Sequence, residues 1–299
     1  MDPLSDVLSL LHTKAHLSAR FEGGEKWAVC FPSESHIKFG TALKGGFWLT
    51  LSGAEPRRIE EGDTYLLTRI PTYVLSTDPT LPAVDGHELY ASARDNRVHY
   101  GGNDIVILGG SFSFDDRNAT LLLEGLPSLI IIPGNKPYAA SVMGTLLLLD
   151  KELREFHIGA PLVSGRLGDI LLVQALRAHV ASGATIGWLG ALGHPKLNAA
   201  LRLIHGEVAR DWTVGELAKM TGMSRSDFAR KFRERIGMPP MVYLTRWRMH
   251  LAREALLRND TTLAIIAASV GYSSESAFGH AFKRWFGCSP KRYWSNIQN

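Results

Sequence analysis

The chain has 299 residues, 45% hydrophobic and 21% charged, with a formal net charge of +4. That length spans two ordinary domains, and the composition is that of folded globular protein rather than a disordered or collagen-like chain. Two cysteines make no disulfide framework, and the apolar runs at 145–149 and 129–132 fall far short of the ~20 residues of a membrane span. The opening Met1-Asp2-Pro3-Leu4-Ser5 has no basic, signal-like start, so a cytoplasmic protein with no membrane segment is expected.

In chain order, residues 1–20 read as one helix, with Asp2 as cap, Pro3 in the first turn, and Leu4, Val7, Leu8 and Leu11 on one face. From 21 to 110 Gly and Pro recur, and short apolar stretches fall at 27–30, 37–43, 47–51, 64–68, 73–76, 89–92 and 105–108. Many short strands at regular turn spacing predict a sandwich or barrel. Gly45-Gly46 and Glu60-Glu61-Gly62-Asp63 mark turns. Residues 144–193 return to helix. A stripe of Val163, Leu167, Ile170, Leu171, Gln174 and the stretch 176–180 runs along a helix starting near Pro161. Such a face can cover the barrel or pair with a second copy of the chain, and the pattern leaves both open. The glycine-rich zone 183–195 reads as linker, although its Trp188, Leu189 and Leu192 need a packing partner.

Residues 213–292 hold one pattern twice. The first copy runs Thr213-Val214-Gly215-Glu216-Leu217-Ala218, Gly222-Met223-Ser224, then Phe228, Phe232, Ile236, Gly237 and Pro240. The second runs Thr262-Leu263-Ala264-Ile265-Ile266-Ala267, Gly271-Tyr272-Ser273, then Phe278, Phe282, Phe286, Gly287 and Pro290. The offset is 49 before the turn and 50 after it, so the second turn holds one extra residue. Each copy reads as a helix-turn-helix. The Thr caps the first helix, the Gly tolerates the positive φ of the turn, and Ser224 and either Ser273 or Ser274 cap the second helix. Phenylalanines at i, i+4 and i+8 face the core. The other face holds Arg225, Ser226, Arg230, Lys231 and Arg233 in the first copy, and Glu275, Ser276, His280, Lys283 and Arg284 in the second. A recognition helix presents such residues to base edges and phosphates. Charge agrees: residues 194–299 carry 17 Lys and Arg against 8 Asp and Glu, and residues 1–193 carry 16 against 21.

The stretch 212–293 resembles the DNA-binding domain of the AraC/XylS family of bacterial transcription regulators. Its most specific part is Val270-Gly271-Tyr272-Ser273-Ser274-Glu275-Ser276-Ala277-Phe278, with Ala281-Phe282-Lys283 and Phe286-Gly287-Cys288-Ser289-Pro290 after it. The resemblance implies seven helices, a long one near 240–257 that holds the two reading units, and RNA polymerase as a partner. It places base reading on Ser226, Ala229 and Arg230, and on Glu275, Ser276 and His280. Ser274, Lys231, Arg233 and Lys283 complete the expected DNA-facing set with Arg225. Arg230 can pair two bonds to a guanine edge, and Glu275 can accept from a cytosine amine.

Lys44-Gly45-Gly46-Phe47-Trp48-Leu49 and Glu61-Gly62-Asp63-Thr64-Tyr65-Leu66-Leu67 resemble a cupin barrel of the kind that precedes AraC-like domains. Where metal cupins hold histidine ligands, this chain has Gly40 and Tyr73, and His36, His87 and His99 are not clustered. Catalysis by a metal needs several converging donors, so no metal, no cofactor and no enzyme activity are expected. Trp48, Tyr65 and Tyr73 are barrel core or contacts to a ligand.

The reading is an α+β multidomain protein. A cupin-like β-barrel with flanking helices spans 1–185, a linker spans 186–195, and an all-α domain with two helix-turn-helix units spans 196–299. Its expected role is a sequence-specific regulator that binds double-stranded DNA, controlled by a small-molecule effector in the barrel, with a homodimer possible in principle. The alternatives are a cupin-type metal enzyme and an architectural DNA-binding protein that responds to no signal.

Overall fold

Two sheets form from the short extended runs between residues 14 and 132. One has six strands in the order β11-β6-β3-β10-β1-β9. These are β1 (Lys14–Gly23), β3 (Ile37–Lys44), β6 (Thr64–Leu67), β9 (Arg97–Tyr100), β10 (Ile105–Ser113) and β11 (Leu129–Ile132). The other has five, in the order β5-β4-β7-β2-β8: β2 (Ala28–Phe31), β4 (Phe47–Leu51), β5 (Arg57–Ile59), β7 (Tyr73–Ser76) and β8 (Val84–Asp85). The computed structural model describes the chain apart from residues 1, 12, 33–36, 70–71, 92–96, 115–122, 124–125, 156, 184–186, 259–260 and 299, and apart from the side chains of 17–19 and 296–298. His36 and Ser92, at which two expectations were aimed, lie outside the described residues.

Strand alternation sends one side chain in two into the space between the sheets. Phe21, Ala42, Tyr65, Leu67 and Ile107 from the first sheet meet Val29, Phe47, Leu49, Ile59 and Leu75 from the second in one buried cluster. The cupin-like β-rich domain is therefore present, but among the described residues its two sheets remain open at their edge strands instead of closing into a full barrel.

Three local expectations are corrected. Residues 1–20 do not form one helix: α1 covers Pro3–Leu11, and the following residues enter β1. The reason is tertiary, because β1 pairs with β10 along nine positions and with β9 on its other edge. The stretch near Leu89 is not a strand but the short helix α2 (Gly86–Ala91). The stripe expected near Pro161 is rotated. After a 3-10 turn (Pro137–Ala139), α3 (Ala140–Glu155) pairs with α4 (Ala160–Ala181), and α4 buries Ser164, Gly168, Leu171, Leu172, Ala175 and Leu176. Val163 and Ile170 are exposed instead. Gly168 sets that face, since a Cβ there would collide with Ala15 of β1.

The remaining helices are α5 (Trp188–Leu192), α6 (Pro195–Gly206), α7 (Val214–Met220), α8 (Arg225–Ile236), α9 (Pro240–Arg258), α10 (Leu263–Ser269), α11 (Glu275–Phe286) and α12 (Pro290–Gln298). The last seven match the number implied by resemblance. Contacts divide the chain into two compact units, one with Met1–Leu11 and Thr185–Asn299, the other with His12–Ala119 and Leu126–Ala184. Helix α1 thus groups with the C-terminal helices, whereas the sequence assigns it to the first domain. It buries Leu4, Val7, Leu10 and Leu11, and Asp6 Oδ2 lies 3.1 Å from Nδ1 of His205 on α6. The other ring nitrogen of His205 lies 2.8 Å from the Tyr243 hydroxyl on α9, and the ring stacks on Trp247 at 4.1 Å. The range expected as linker contains α5, whose Trp188, Leu189 and Ala191 are buried within this unit.

The C-terminal unit buries a second imidazole. His250 of α9 is 6% exposed and meets the Phe286 ring edge-on. Burial, with Arg253 and Arg246 adding to it, pushes its pKa from 6.5 down to about 3. The unfolded chain then takes up the proton first as pH falls. Stability supplied by neutral His250 is complete above pH 6.5 and is lost progressively between 6.5 and about 3. Near pH 5 this one group is expected to cost about 2 kcal/mol. Urea unfolding of the wild type and of His250→Phe, near pH 7.5 and near pH 5, checks this. The wild type should lose roughly 2 kcal/mol more than the variant on acidification, and equal losses would show that His250 is not the group that titrates.

Candidate nucleic-acid interface and barrel cavity

Both copies of the repeat fold as helix-turn-helix units with the same local chemistry. The Thr213 side chain accepts from the Glu216 amide, and Glu216 accepts from the Thr213 amide, a reciprocal cap of α7. Thr262 caps α10 by accepting from the Ile265 amide, without a reciprocal bond, because isoleucine has no acceptor to return. Gly222 and Gly271 then turn the chain at φ +63° and +81°. Ser224 caps α8 by accepting from the Asp227 amide, and Ser274 caps α11 by accepting from Ala277. The extra residue in the second turn is therefore Ser273, and the choice between the two serines is resolved in favour of Ser274. Gly237 and Gly287 end the two helices in the left-handed region.

Phe228, Phe232 and Ile236 of α8, and Phe278 and Phe282 of α11, are buried, while Phe286 is half-buried. The opposite faces point outward. Arg225, Ser226, Arg230 and Arg233 are exposed, and Ala229 and Lys231 on the flanks are half-buried. On α11, Glu275, Ser276, His280 and Lys283 are exposed. Most of the expected DNA-facing residues of each helix are thus open to solvent. Ser274 departs from that set in that its hydroxyl oxygen already caps α11. Arg230 is held on its own helix by Asp227 at 2.7 Å and Glu234 at 2.9 Å. Lys231, then Arg230, beside Asp227 hold its carboxyl below the usual range. A base or phosphate that takes Arg230 must replace these contacts, which solvent already weakens.

Two basic residues missed by sequence reasoning serve structure. Lys196 donates to the Gly222 carbonyl in the first turn at 2.7 Å. Arg248 donates to the carbonyls of Val208 and Arg210 and lies over the Tyr272 ring. The sequence holds no signal separating them from DNA-facing cations, because their partners are backbone carbonyls distant along the chain.

Between the two sheets lies a cavity of about 270 Å³. Tyr65 and Tyr73 line it, as do Phe31, Lys38 and Tyr90. Trp48 does not. It alternates with the buried Phe47 and Leu49, so it points away from the core and packs under Arg58. Lys38 was legible as an anomaly, since it shares the inward phase of β3 with Gly40 and Ala42. Gly40 lies directly opposite Tyr65 in the β3–β6 ladder, and a Cβ on it would meet the Tyr65 ring at 2.6 Å. The phenol therefore covers Gly40, leaving no room for a side chain at that position. Burial, and next the neighbouring Tyr90, push the Tyr65 phenol well above its usual pKa, so it stays protonated. Among the described residues no three His, Cys, Asp or Glu side chains gather as metal ligands. Among the described residues, the donor set does not fit a cupin metal.

Residues 2–181 match a cupin family model, and residues 217–296 match a helix-turn-helix domain model. A putative AraC-like transcription regulator of Streptomyces lividans is 42% identical over 297 residues, which is 98% of each chain. One of Streptomyces antibioticus is 40% identical over the same span and coverage. The RCS-specific HTH-type transcriptional activator RclR of Escherichia coli K12 is 32% identical over 303 residues, covering 100% of this chain and 99% of its own.

Proposed function

We propose that this chain, which belongs to the AraC-like transcription regulators with an N-terminal cupin domain, reads two successive major grooves and is controlled by a small molecule bound between its cupin sheets. That it is a transcription regulator with an AraC-type DNA-binding domain follows from the family. The finer reading rests on one observation above all. Two capped helices, α8 and α11, present outward polar faces from one folded unit, built on the same central helix α9. The packed pair of sheets with its own cavity supports a sensing role over a purely architectural one. Among the described residues the cavity gathers no metal donor set, which supports binding over catalysis. Double-stranded DNA is the primary partner, the bacterial cytoplasm the setting, and RNA polymerase and a second copy of the chain are partners by family likeness. No helix among the described residues is long and apolar enough to cross a membrane.

A footprint of the full chain on its own site tests the geometry. Protection should extend over roughly two helical turns on one face, with centres about 34 Å apart. Protection of a single groove would mean that only one unit reads DNA.

Arg230 separates base reading from phosphate holding. Arg230→Ala should cost about 1–3 kcal/mol at the preferred site and relax preference at one base pair. Arg233→Ala should weaken all sequences alike and flatten the salt dependence. Equal loss on specific and random DNA would make Arg230 a phosphate contact.

An oxidant signal is the second reading, favoured by the RCS-specific name of one full-length relative and by the placement of the cysteines. Cys30 is half-buried, on the face of β2 opposite Val29 and Phe31, and Cys288 is also half-buried. Promoter output with and without mild oxidant, for the wild type and for Cys30→Ala with Cys288→Ala, decides between the two. With a small-molecule signal the responses of both chains match. An oxidant response confined to the wild type would replace the small molecule with thiol chemistry.

A further inference from the structure

The cavity between the sheets is lined by a buried hydroxyl without a partner. Tyr65 is 4% exposed, and its phenol makes no hydrogen bond among the described residues. Lys38 and Tyr73 line the same cavity but already have partners. Cross-strand pairing sets the aim of the phenol. Tyr65 lies opposite Gly40 in the β3–β6 ladder, and Gly40 lies opposite Gly109 in the β3–β10 ladder. The ring lies across Gly40, with its hydroxyl end over that glycine. Beyond it, a Cβ added at Gly109 would meet the Phe39 carbonyl at 3.3 Å but no side chain among the described residues. The space over Gly109 is therefore open, and it belongs to the cavity.

A buried phenol without a partner has given up its bonds to water, and it costs stability until an acceptor is supplied. Burial raises its pKa, so it stays protonated and donates. The walls around it are aromatic: Phe31 stacks on Tyr73 at 5.0 Å and meets Tyr90 edge-on at 5.6 Å. Such walls suit a flat apolar body. A water at the hydroxyl needs several polar partners of its own, which aromatic rings do not supply. A carbonyl oxygen is the acceptor that fits, since it brings no donor that would itself need a buried partner. A volume of about 270 Å³ is at the small end for ligand sites and suits a single ring. We propose, resting on the effector reading above, that this cavity binds a small aromatic ketone or aldehyde. Its carbonyl oxygen accepts from the Tyr65 hydroxyl, and its ring lies against Phe31 and Tyr73.

Acetophenone and ethylbenzene have nearly the same shape and differ in the acceptor. Both are titrated by calorimetry into the full chain, as wild type and as Tyr65→Phe. Acetophenone should bind the wild type once per chain. Tyr65→Phe should weaken acetophenone about tenfold, and ethylbenzene should bind the variant as tightly as the wild type or tighter. An infrared difference spectrum of isotope-labelled acetophenone on the wild type needs no variant. The carbonyl stretch of the bound ketone should lie below its position in hexane, as a hydrogen-bonded carbonyl does. The inference is overturned if acetophenone does not bind the wild type saturably, if its bound stretch matches that in hexane, or if Tyr65→Phe keeps the ratio of the two affinities. A variant that binds neither compound has lost its fold, and the stretch on the wild type then decides. DNA affinity measured by anisotropy in the same titrations tests the parent reading separately. Tyr65-dependent binding that leaves DNA affinity unchanged keeps the carbonyl site and removes its effector role, whereas acetophenone that does not bind strikes the ligand class and leaves the effector reading standing.

Discussion

Burial of the helix α9 on several sides is the constraint that organises the DNA-binding unit. Its buried residues Tyr243, Leu244, Trp247, Met249, His250, Ala252 and Leu256 do not form one stripe but wrap around the helix. A helix that is apolar on all sides must be covered on all sides. Neither helix-turn-helix can bury its own phenylalanine ladder alone, and both solve the problem on α9. Phe232 of α8 packs edge-on against Tyr243 near its start. Phe278 and Phe282 of α11 share a cluster with Met249, Ala252 and Leu256 near its end. The two recognition helices thus share one support, helix α9, which they meet at its opposite ends. Loss of a methylene there is felt as a cavity and as a change in aim.

The first reading unit is tied to more of the chain than the second. Helix α5, from the stretch expected to be linker, packs on recognition helix α8 and on α6. Helix α1 packs on α6 and reaches it through Asp6 and His205. The His205 side chain is fully buried, and burial lowers its pKa despite the neighbouring Asp6. Its ring links α1, α6 and α9 in one hydrogen-bonded line. Both α1 and α5 adjoin, along the chain, segments that belong to the cupin unit. The second recognition helix, α11, rests instead on α9, α10 and α12.

The repeated unit was legible because its determinants are local. A cap three residues from its amide partner, a glycine at positive φ, and phenylalanines at i and i+4 all act within one turn of helix. The family likeness of 212–293 was carried by the same residues. In the cupin unit, local pattern found β4 and β7 at their true bounds, since each alternates within one short strand. It failed at β1, where residues 14–20 read as the continuation of a helix and pairing with β10 makes them strand. It failed again at α2, where an apolar stretch of strand length follows Gly86, whose added Cβ would meet the Phe31 ring.

The class of protein and the seven C-terminal helices came from the family resemblance, and by itself the sequence determined the caps and turns of both reading units and the outward placement of their polar faces. Each of these depends on residues a few positions apart. Only the tertiary structure decided which serine caps α11, that α1 belongs with the C-terminal helices, which face of α4 is buried, and that Tyr65 and Lys38 share a cavity that Trp48 does not enter. These depend on contacts between residues far apart in the chain. Packing against β1, the cross-strand fit of Tyr65 over Gly40 and the inward phase of β3 settle them, and no local pattern records such contacts.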